Sequence, residues 1–317
     1  MHRDAKILLT GGTGFVGSHM TEYLLSQGYT NITLTTLNGS EEVPNARVYQ
    51  VDLSDADQTL ACFEHCKPDY IVNLAAVATV GNSFEKAKAM VSVNAAIMLS
   101  VLEAMRKVTP TAKMLQVSSA AVYGISTSED EVPQSEQHPF RPVNPYAVSK
   151  LTQEFLAQTY ARSYSLDIVY VRSFNHTGER QTSHFAIPAF AEQIVAIEQG
   201  EQHTLLVGNL EAIRDFTDVK DVVRAYQLLL TSGISGEVYN LGSGKGYSMK
   251  EVLDMLISFS TTNIRVSQES ELLRPLDIPV SIADNEKITA LGWRPEITLS
   301  DTLQRVLEWQ RKQKRTA

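Results

Sequence analysis

The sequence predicts an α/β fold: a doubly wound parallel sheet joined to a smaller mixed α/β unit. Three observations predict it. Short apolar runs alternate with helical periodicity through the first half, a glycine-rich turn links the first run to the first helix, and the rhythm changes after about residue 173. Strand–helix alternation with short connections is how a parallel sheet covered on both faces reads in sequence. The 317 residues suit two domains at a prior of roughly 150 residues each. The expected units are 1–172, binding a dinucleotide, and 173–317, binding substrate, with parts of 212–245 returning to the first.

The expected strands are Lys6–Leu9, Ile32–Leu37, Val48–Val51, Tyr70–Leu74, Lys113–Val117 and Ile168–Val171. Val16, Met20, Tyr23, Leu24 and Gln27 fall on one face of the first helix, and Gly28 stops it. Asn94–Lys107 and Tyr146–Ala161 repeat that pattern, as do Ile187–Gln199, Val219–Leu230, Ser248–Ser260 and Leu299–Lys312. The basic run Arg311-Lys312-Gln313-Lys314-Arg315 reads as a solvated, frayed helix end.

Composition narrows the class. Apolar residues at 43% and charged residues at 20% exclude a disordered chain. A net charge of −8 argues against nucleic acid as a partner while leaving room for a local basic pocket. No apolar run approaches the ~20 residues of a bilayer span, and the start reaches Gly11 before a signal peptide could build its apolar centre. The expectation is a cytoplasmic protein without membrane contact. Cys62 and Cys66, four apart on a helix, read as reduced thiols, and no histidine or carboxylate cluster has the spacing of a metal site.

The turn after the first strand is Thr10-Gly11-Gly12-Thr13-Gly14-Phe15-Val16-Gly17. Gly11, Gly14 and Gly17 let the backbone turn tightly and approach a pyrophosphate, while the helix N-terminus aims unpaired N–H groups at it. Strand before and helix after make this a Rossmann-like dinucleotide loop, with Thr13, Phe15 and Val16 also lining it. About 20 positions on, where a carboxylate would take the ribose hydroxyls of NAD, the chain reads Thr35-Thr36-Leu37-Asn38-Gly39-Ser40; Glu41 and Glu42 follow later. Nothing there repels a 2′-phosphate, and Thr36 and its neighbours can hydrogen-bond one, so NADP(H) is favoured and NAD(H) tolerated. Asp52, before Leu53, is either an acceptor for the adenine amino group or an ordinary helix cap.

Asn144-Pro145-Tyr146-Ala147-Val148-Ser149-Lys150 contains Tyr-x-x-x-Lys, with Asn144 as N-cap and Pro145 at the first helical position. Residues four apart share a helix face, so Lys150 is expected beneath Tyr146. At ~4 Å and an effective dielectric near 20 the attraction is about 4 kcal/mol, roughly three pKa units, enough to bring a phenol near neutrality. Ser119, in Gln116-Val117-Ser118-Ser119-Ala120-Ala121-Val122-Tyr123-Gly124, closes a strand whose carboxyl end faces the ligand crevice, where its hydroxyl can hold a carbonyl oxygen.

Over nearly its whole length the chain resembles the extended short-chain dehydrogenase/reductase family of nucleotide-sugar epimerases, dehydratases and reductases. Thr10–Gly17, Asp52-Leu53, Asn73-Leu74-Ala75-Ala76, Val93-Asn94, Ser118–Gly124, Asn144–Lys150 and Arg172–Gly178 carry the likeness. It implies a catalytic set of Ser119, Tyr146 and Lys150. Leu74, Ala75, Ala76 and Asn94 would border the cofactor with Tyr146 and Lys150. It also implies a homodimer formed through the helices at Asn94–Lys107 and Tyr146–Ala161.

Arg172–Gln181, Val207–Val219 and Leu273–Pro279 are similar to the GDP-mannose dehydratase and GDP-4-keto-6-deoxymannose reductase branch. Arg214 and Arg274 can fork onto diphosphate oxygens, and Asn175, Asn209 and Asp277 can hydrogen-bond sugar, base or ribose. His176 and His184 read as structural. Dehydratases of the family need a glutamate two residues before the Tyr123 position; here Ala121 stands there, after Ala120, and a methyl group transfers no proton. The implied reaction is NADPH reduction of the C4 ketone of a nucleotide-linked 4-keto-6-deoxyhexose, GDP-linked by this likeness. The alternatives are a 4-epimerase, a GDP-mannose 4,6-dehydratase and, outside enzymes, an NADP-sensing regulatory protein.

Overall fold

The computed structural model describes residues 1–38, 43–78, 83–273 and 276–316. Its first unit is a seven-stranded, all-parallel sheet. The strands in chain order are β1 (Ile7–Thr10), β2 (Ile32–Thr36), β3 (Arg47–Gln50), β4 (Tyr70–Asn73), β5 (Lys113–Ser119), β6 (Asp167–Ser173) and, after an excursion into the second unit, β10 (Val238–Leu241). Their spatial order is β10-β6-β5-β4-β1-β2-β3. The chain reverses direction across the sheet at β1, so the carboxyl ends of β1 and β4 open a crevice there.

Both faces of the sheet are covered, which is why its strands read as continuous apolar runs. Ile7 and Leu9 of β1 and Val169 and Val171 of β6 pack on α1 (Phe15–Ser26) and α6 (Val219–Ser232). Their neighbours Leu8, Ile168 and Tyr170 enter the opposite core with α2 (Ala56–Cys66), α3 (Ala87–Val108) and α4 (Pro145–Tyr164). Cys62 and Cys66 are free thiols on α2, with their sulfurs 4.0 Å apart.

Two expectations need correction here. The 22 residues of α3 are by length and composition apolar enough to cross a bilayer, contrary to the reading of the apolar runs. Those apolar residues are what a core helix needs: Met90, Ile97, Met98, Val101, Leu102 and Met105 are buried, and α3 packs between α2 and α4. The basic tail is not frayed either. Helix α9 (Leu299–Thr316) continues through it, because Arg311 forks onto Glu198 at 2.6 and 2.9 Å and Lys314 reaches Glu201 at 2.8 Å across the packed pair α5 (Ala186–Glu198) and α9.

The second unit has its own core, in which α5, α7 (Met249–Ser258) and α9 enclose Ile194, Leu205, Leu253 and Leu303. Around it, β9 (Ile213–Asp218) pairs in parallel with β7 (Asn175–Thr177) and β13 (Val280–Ser281) and antiparallel with β11 (Gly246–Ser248). A separate parallel pair joins β8 (Thr204–Val207) to β12 (Arg265–Gln268). The short helix α8 (Glu286–Ala290) returns Ile288 to the core of the first unit.

Candidate active site

The glycine loop is built on main-chain geometry. Gly11 has φ +63°, and a Cβ there would meet the Ala75 main chain at 3.3–3.4 Å. At Gly17 a Cβ would lie 2.5 Å from the Gly12 carbonyl oxygen, so the turn from β1 into α1 closes only around bare glycines. The loop hangs from β2 by Gly11 N–H donating to the Thr35 hydroxyl at 3.0 Å and Gly12 N–H to the Thr35 carbonyl at 3.1 Å. Helix α1 then opens with Gly14 as N-cap, without a side-chain cap and without an acid in its first turn. Phe15 and Val16 therefore present N–H groups that the protein's own side chains leave to a ligand.

The neighbouring residues are fixed by a few hydroxyls. The Thr10 hydroxyl accepts from the main-chain N–H of Leu74 and of Ala75, both at 3.1 Å, drawing the segment with Ala76 against the loop. Thr13 donates to Thr36 at 3.2 Å, and Thr36 to the Asn38 carbonyl at 3.1 Å, so hydroxyls stand at the end of β2. Residues 39–42, which include Ser40, Glu41 and Glu42, lie outside the described residues. Asp52 caps no helix: it accepts from Ser54 N–H and hydroxyl at 2.9 and 2.6 Å, whereas Asp55 caps α2, and Leu53 is buried behind it. Buried Asn94 clips Val77 through both main-chain groups, at 2.7 and 3.2 Å, and donates to Ser149 at 2.9 Å.

Ser119 ends β5 and caps the 3-10 turn Ala120–Tyr123, accepting from Ala121 N–H at 3.2 Å. The chain leaves through Gly124, at φ +63°, where a Cβ would collide with the Arg141 carbonyl. That contact closes residues 125–140 into a loop and returns the chain to the start of α4. There Asn144 accepts from Ala147 N–H at 2.9 Å with Pro145 behind it, as the sequence predicts. Tyr146 and Ser119 thus come together, and burial pushes the phenol above its ordinary value while a hydrogen bond with the Ser119 hydroxyl works against that.

Lys150 departs from expectation. It lies on the predicted face, yet its ammonium donates to the Val117 carbonyl at 2.6 Å and to Gln153 Oε1 at 3.1 Å, and the phenol is raised rather than lowered. A buried ammonium goes where acceptors are, and a protonated phenol is a weaker one than a carbonyl or amide oxygen. Burial brings Lys150 down to about 8, against the pull of Glu154.

In the second unit, Asn209, Arg214 and Asp277 meet, but on one another. Asp277 accepts from Arg214 at 2.8 Å and from Asn209 at 3.1 Å, and Arg214 also donates to its own Ile213 carbonyl at 2.9 Å. The guanidinium expected to fork onto phosphate thus comes already paired with a carboxylate. Arg274 lies outside the described residues. Asn175 is exposed on β7 opposite Phe216, two positions along β9 from Arg214. His176 stacks on Phe15 with ring centres 6.1 Å apart, and burial pushes its imidazole below the ordinary value; His184 is exposed. Among the described residues no group of three or more histidine, cysteine, aspartate or glutamate side chains could hold a metal ion.

Sequence reasoning missed the buried polar layer beneath α4. Glu154 takes three bonds from Arg172, the shortest 2.6 Å, and Arg172 also donates to the Tyr123 hydroxyl and the Glu136 carbonyl, both at 2.9 Å. Helical spacing carries a signal for it: Gln153 and Glu154 fall three and four positions after Lys150, on a face whose neighbour Ala157 is apolar and buried.

The pattern of the GDP-mannose 4,6 dehydratase family matches residues 8–306. The GDP-6-deoxy-D-mannose reductase of Pseudomonas aeruginosa is 30% identical over 96% of this chain and 97% of its own. Among solved structures, RMD from Pseudomonas aeruginosa complexed with NADPH superposes with a TM-score of 0.86 at 30% identity, covering 98% of this chain and 99% of that one. The UDP-glucose 4-epimerase of Thermus thermophilus, in complex with NAD, gives the same TM-score of 0.86 at 30% identity, covering 96% of this chain and 99% of that one. The chain belongs to this family, within the extended short-chain dehydrogenases/reductases, and is an oxidoreductase.

Proposed function

We propose that this family member is a reductase that uses NADPH to convert the C4 ketone of a GDP-linked 4-keto-6-deoxyhexose to an alcohol, with GDP-4-keto-6-deoxy-D-mannose as substrate and GDP-D-rhamnose as product. The observation that carries the reading is the Tyr146 phenol brought beside the Ser119 hydroxyl, with the methyl group of Ala121 where a dehydratase needs a glutamate. A reduction consumes a proton at the ketone oxygen, and a phenol held above its ordinary value keeps that proton to give.

A dinucleotide fits the residues present: the positive φ of Gly11, its close approach to Ala75 and the uncapped start of α1 make a cradle that any Cβ would fill. Gly11, Thr13, Gly14, Phe15, Val16 and Gly17 would hold its diphosphate, Thr36 a 2′-phosphate, Asp52 and Leu53 the adenine end. Leu74, Ala75, Ala76 and Asn94 would line the stretch towards the nicotinamide. The bound cofactor supplies the hydride. Tyr146 gives its proton to the ketone oxygen, Ser119 donates a hydrogen bond to the same oxygen, and the Lys150 ammonium holds the nicotinamide ribose. Asn175, Asn209, Arg214 and Asp277 would bind the nucleotide sugar. The Arg214–Asp277 pair offers donors to phosphate and an acceptor to ribose or base in one rigid unit.

GDP-4-keto-6-deoxymannose supplied with NADPH should oxidise the cofactor stoichiometrically, read as loss of nicotinamide absorbance; no consumption rules the reductase out. A 4-epimerase is the second reading, favoured by the same methyl-bearing strand end, and it would interconvert sugars without consuming added NADPH. The chain would pair through α3 and α4, whose outward faces leave Leu99, Val148 and Phe155 exposed. Sedimentation should show a dimer that Phe155→Glu converts to monomer; an unchanged dimer would remove these helices from the interface.

A further inference from the structure

Gln153 is completely buried between α3 and α4, on the helix face that carries Tyr146 and Lys150. Both ends of its amide are engaged: Nε2 donates to the Asn94 main-chain carbonyl at 3.1 Å, and Oε1 accepts from the Lys150 ammonium at 3.1 Å. The first bond fixes the second. A carbonyl only accepts, so the nitrogen must face Asn94 and the oxygen must face Lys150. Asn94 is itself held rigidly, through Val77 and Ser149.

Two neutral oxygens hold the ammonium, the Val117 carbonyl at 2.6 Å and the Gln153 amide at 3.1 Å. Glu154, one turn further along α4, is tied to Arg172 of β6 by three hydrogen bonds, the shortest 2.6 Å. From β5 the Val117 carbonyl accepts from the ammonium, and the α3 carbonyl of Asn94 is taken up by the Gln153 amide nitrogen. A buried cation whose nearest carboxylate is committed to a guanidinium needs neutral oxygens to remain a cation.

We propose that Gln153 is a positioning residue for Lys150: its amide oxygen aims the ammonium at the end of β5 and keeps it charged. The consequence for turnover rests on Lys150 being the cation that holds the cofactor; the geometry does not. A residue that merely bridged α3 and α4 would affect stability and leave the ionisation of Lys150 alone.

The test is a pH titration of the full chain labelled with 15Nζ-lysine, followed by NMR, with the Lys150 signal identified by its loss in Lys150→Met. The wild-type midpoint is expected near 8. Gln153→Met, of similar length but without the acceptor, should lower it by about one pH unit, and Gln153→Glu, which adds a carboxylate, should raise it by about as much. Coincident midpoints, or both variants moving the same way, overturn the proposal. Gln153→Glu decides the matter alone if the methionine variant does not fold. NADPH affinity measured against pH should follow the midpoints; midpoints that move while affinity does not would support Gln153 as positioning residue and remove Lys150 from the cofactor.

Discussion

The two sides of the proposed site are made of different material. On the first unit the protein presents backbone: bare glycines, the N–H groups of Phe15 and Val16, and main chain pinned by single hydroxyls from Thr10 and Thr35. On the second unit it presents charged side chains that have already found each other, with Arg214, Asp277 and Asn209 in one hydrogen-bonded group. A backbone site is set as soon as its strand and helix form, and it serves any ligand with the right phosphates. A site of paired charges keeps its geometry by internal contacts, so a ligand must match the pair rather than a single free cation.

Substitutions can break or sharpen this contrast, and the largest effect is expected at the proposed proton donor. Tyr146→Phe should lower kcat by about 10²- to 10⁴-fold while NADPH affinity, measured by fluorescence titration, stays nearly unchanged. Retained turnover would remove Tyr146 as proton donor. Next comes the backbone side: Gly11→Val forces a branched residue to φ +63° and against Ala75, and should weaken NADPH binding by at least about tenfold with little change in sugar affinity. A smaller effect with the opposite signature belongs to the paired side. Arg214→Ala should raise KM for the nucleotide sugar about tenfold and leave kcat and NADPH affinity close to wild type, since the Asp277 carboxylate then faces the phosphates unpaired. If Gly11→Val and Arg214→Ala gave the same kinetic pattern, the distinction between the two sides would fall.

The mildest effect is that of pH. In the proposed reaction Lys150 works as an ammonium, and burial brings it to about 8, so kcat/KM should be level below that pH and decline above it. The phenol, held above its ordinary value, stays protonated through this range and adds no limb of its own. A profile that instead rises through pH 8 would reverse the assigned protonation states.

What could be read in advance follows the same division. The glycine loop, the alternating strands and the cap Asn144-Pro145 are written within a few adjacent residues, and local spacing carries them. The orientation of the Lys150 ammonium is not so written. Gln153 stands three residues on, but its amide is aimed by a different helix, and Val117 of β5 lies 33 residues before, so helical spacing placed the lysine but not its ammonium. Arg214 and Asp277 stand 63 residues apart, and nothing in either segment announces that they pair. The basic tail is exposed from Lys312 to Arg315, as expected, and it looked frayed because its partners, Glu198 at the end of α5 and Glu201 just beyond it, stand more than a hundred positions earlier.

The path of the chain has one more consequence. After β6 it enters the second unit at β7, comes back for α6 and β10, leaves again at β11, returns for α8 and ends in α9. The two units are therefore stitched, not hung on a single thread. A truncation after β6 would strip the sheet of its edge strand and of the Val222–Leu230 apolar face, exposing Val169 and Val171 to water. Any exchange of the second unit must therefore be made in several short pieces at once, because no single cut separates it from the seven-stranded sheet.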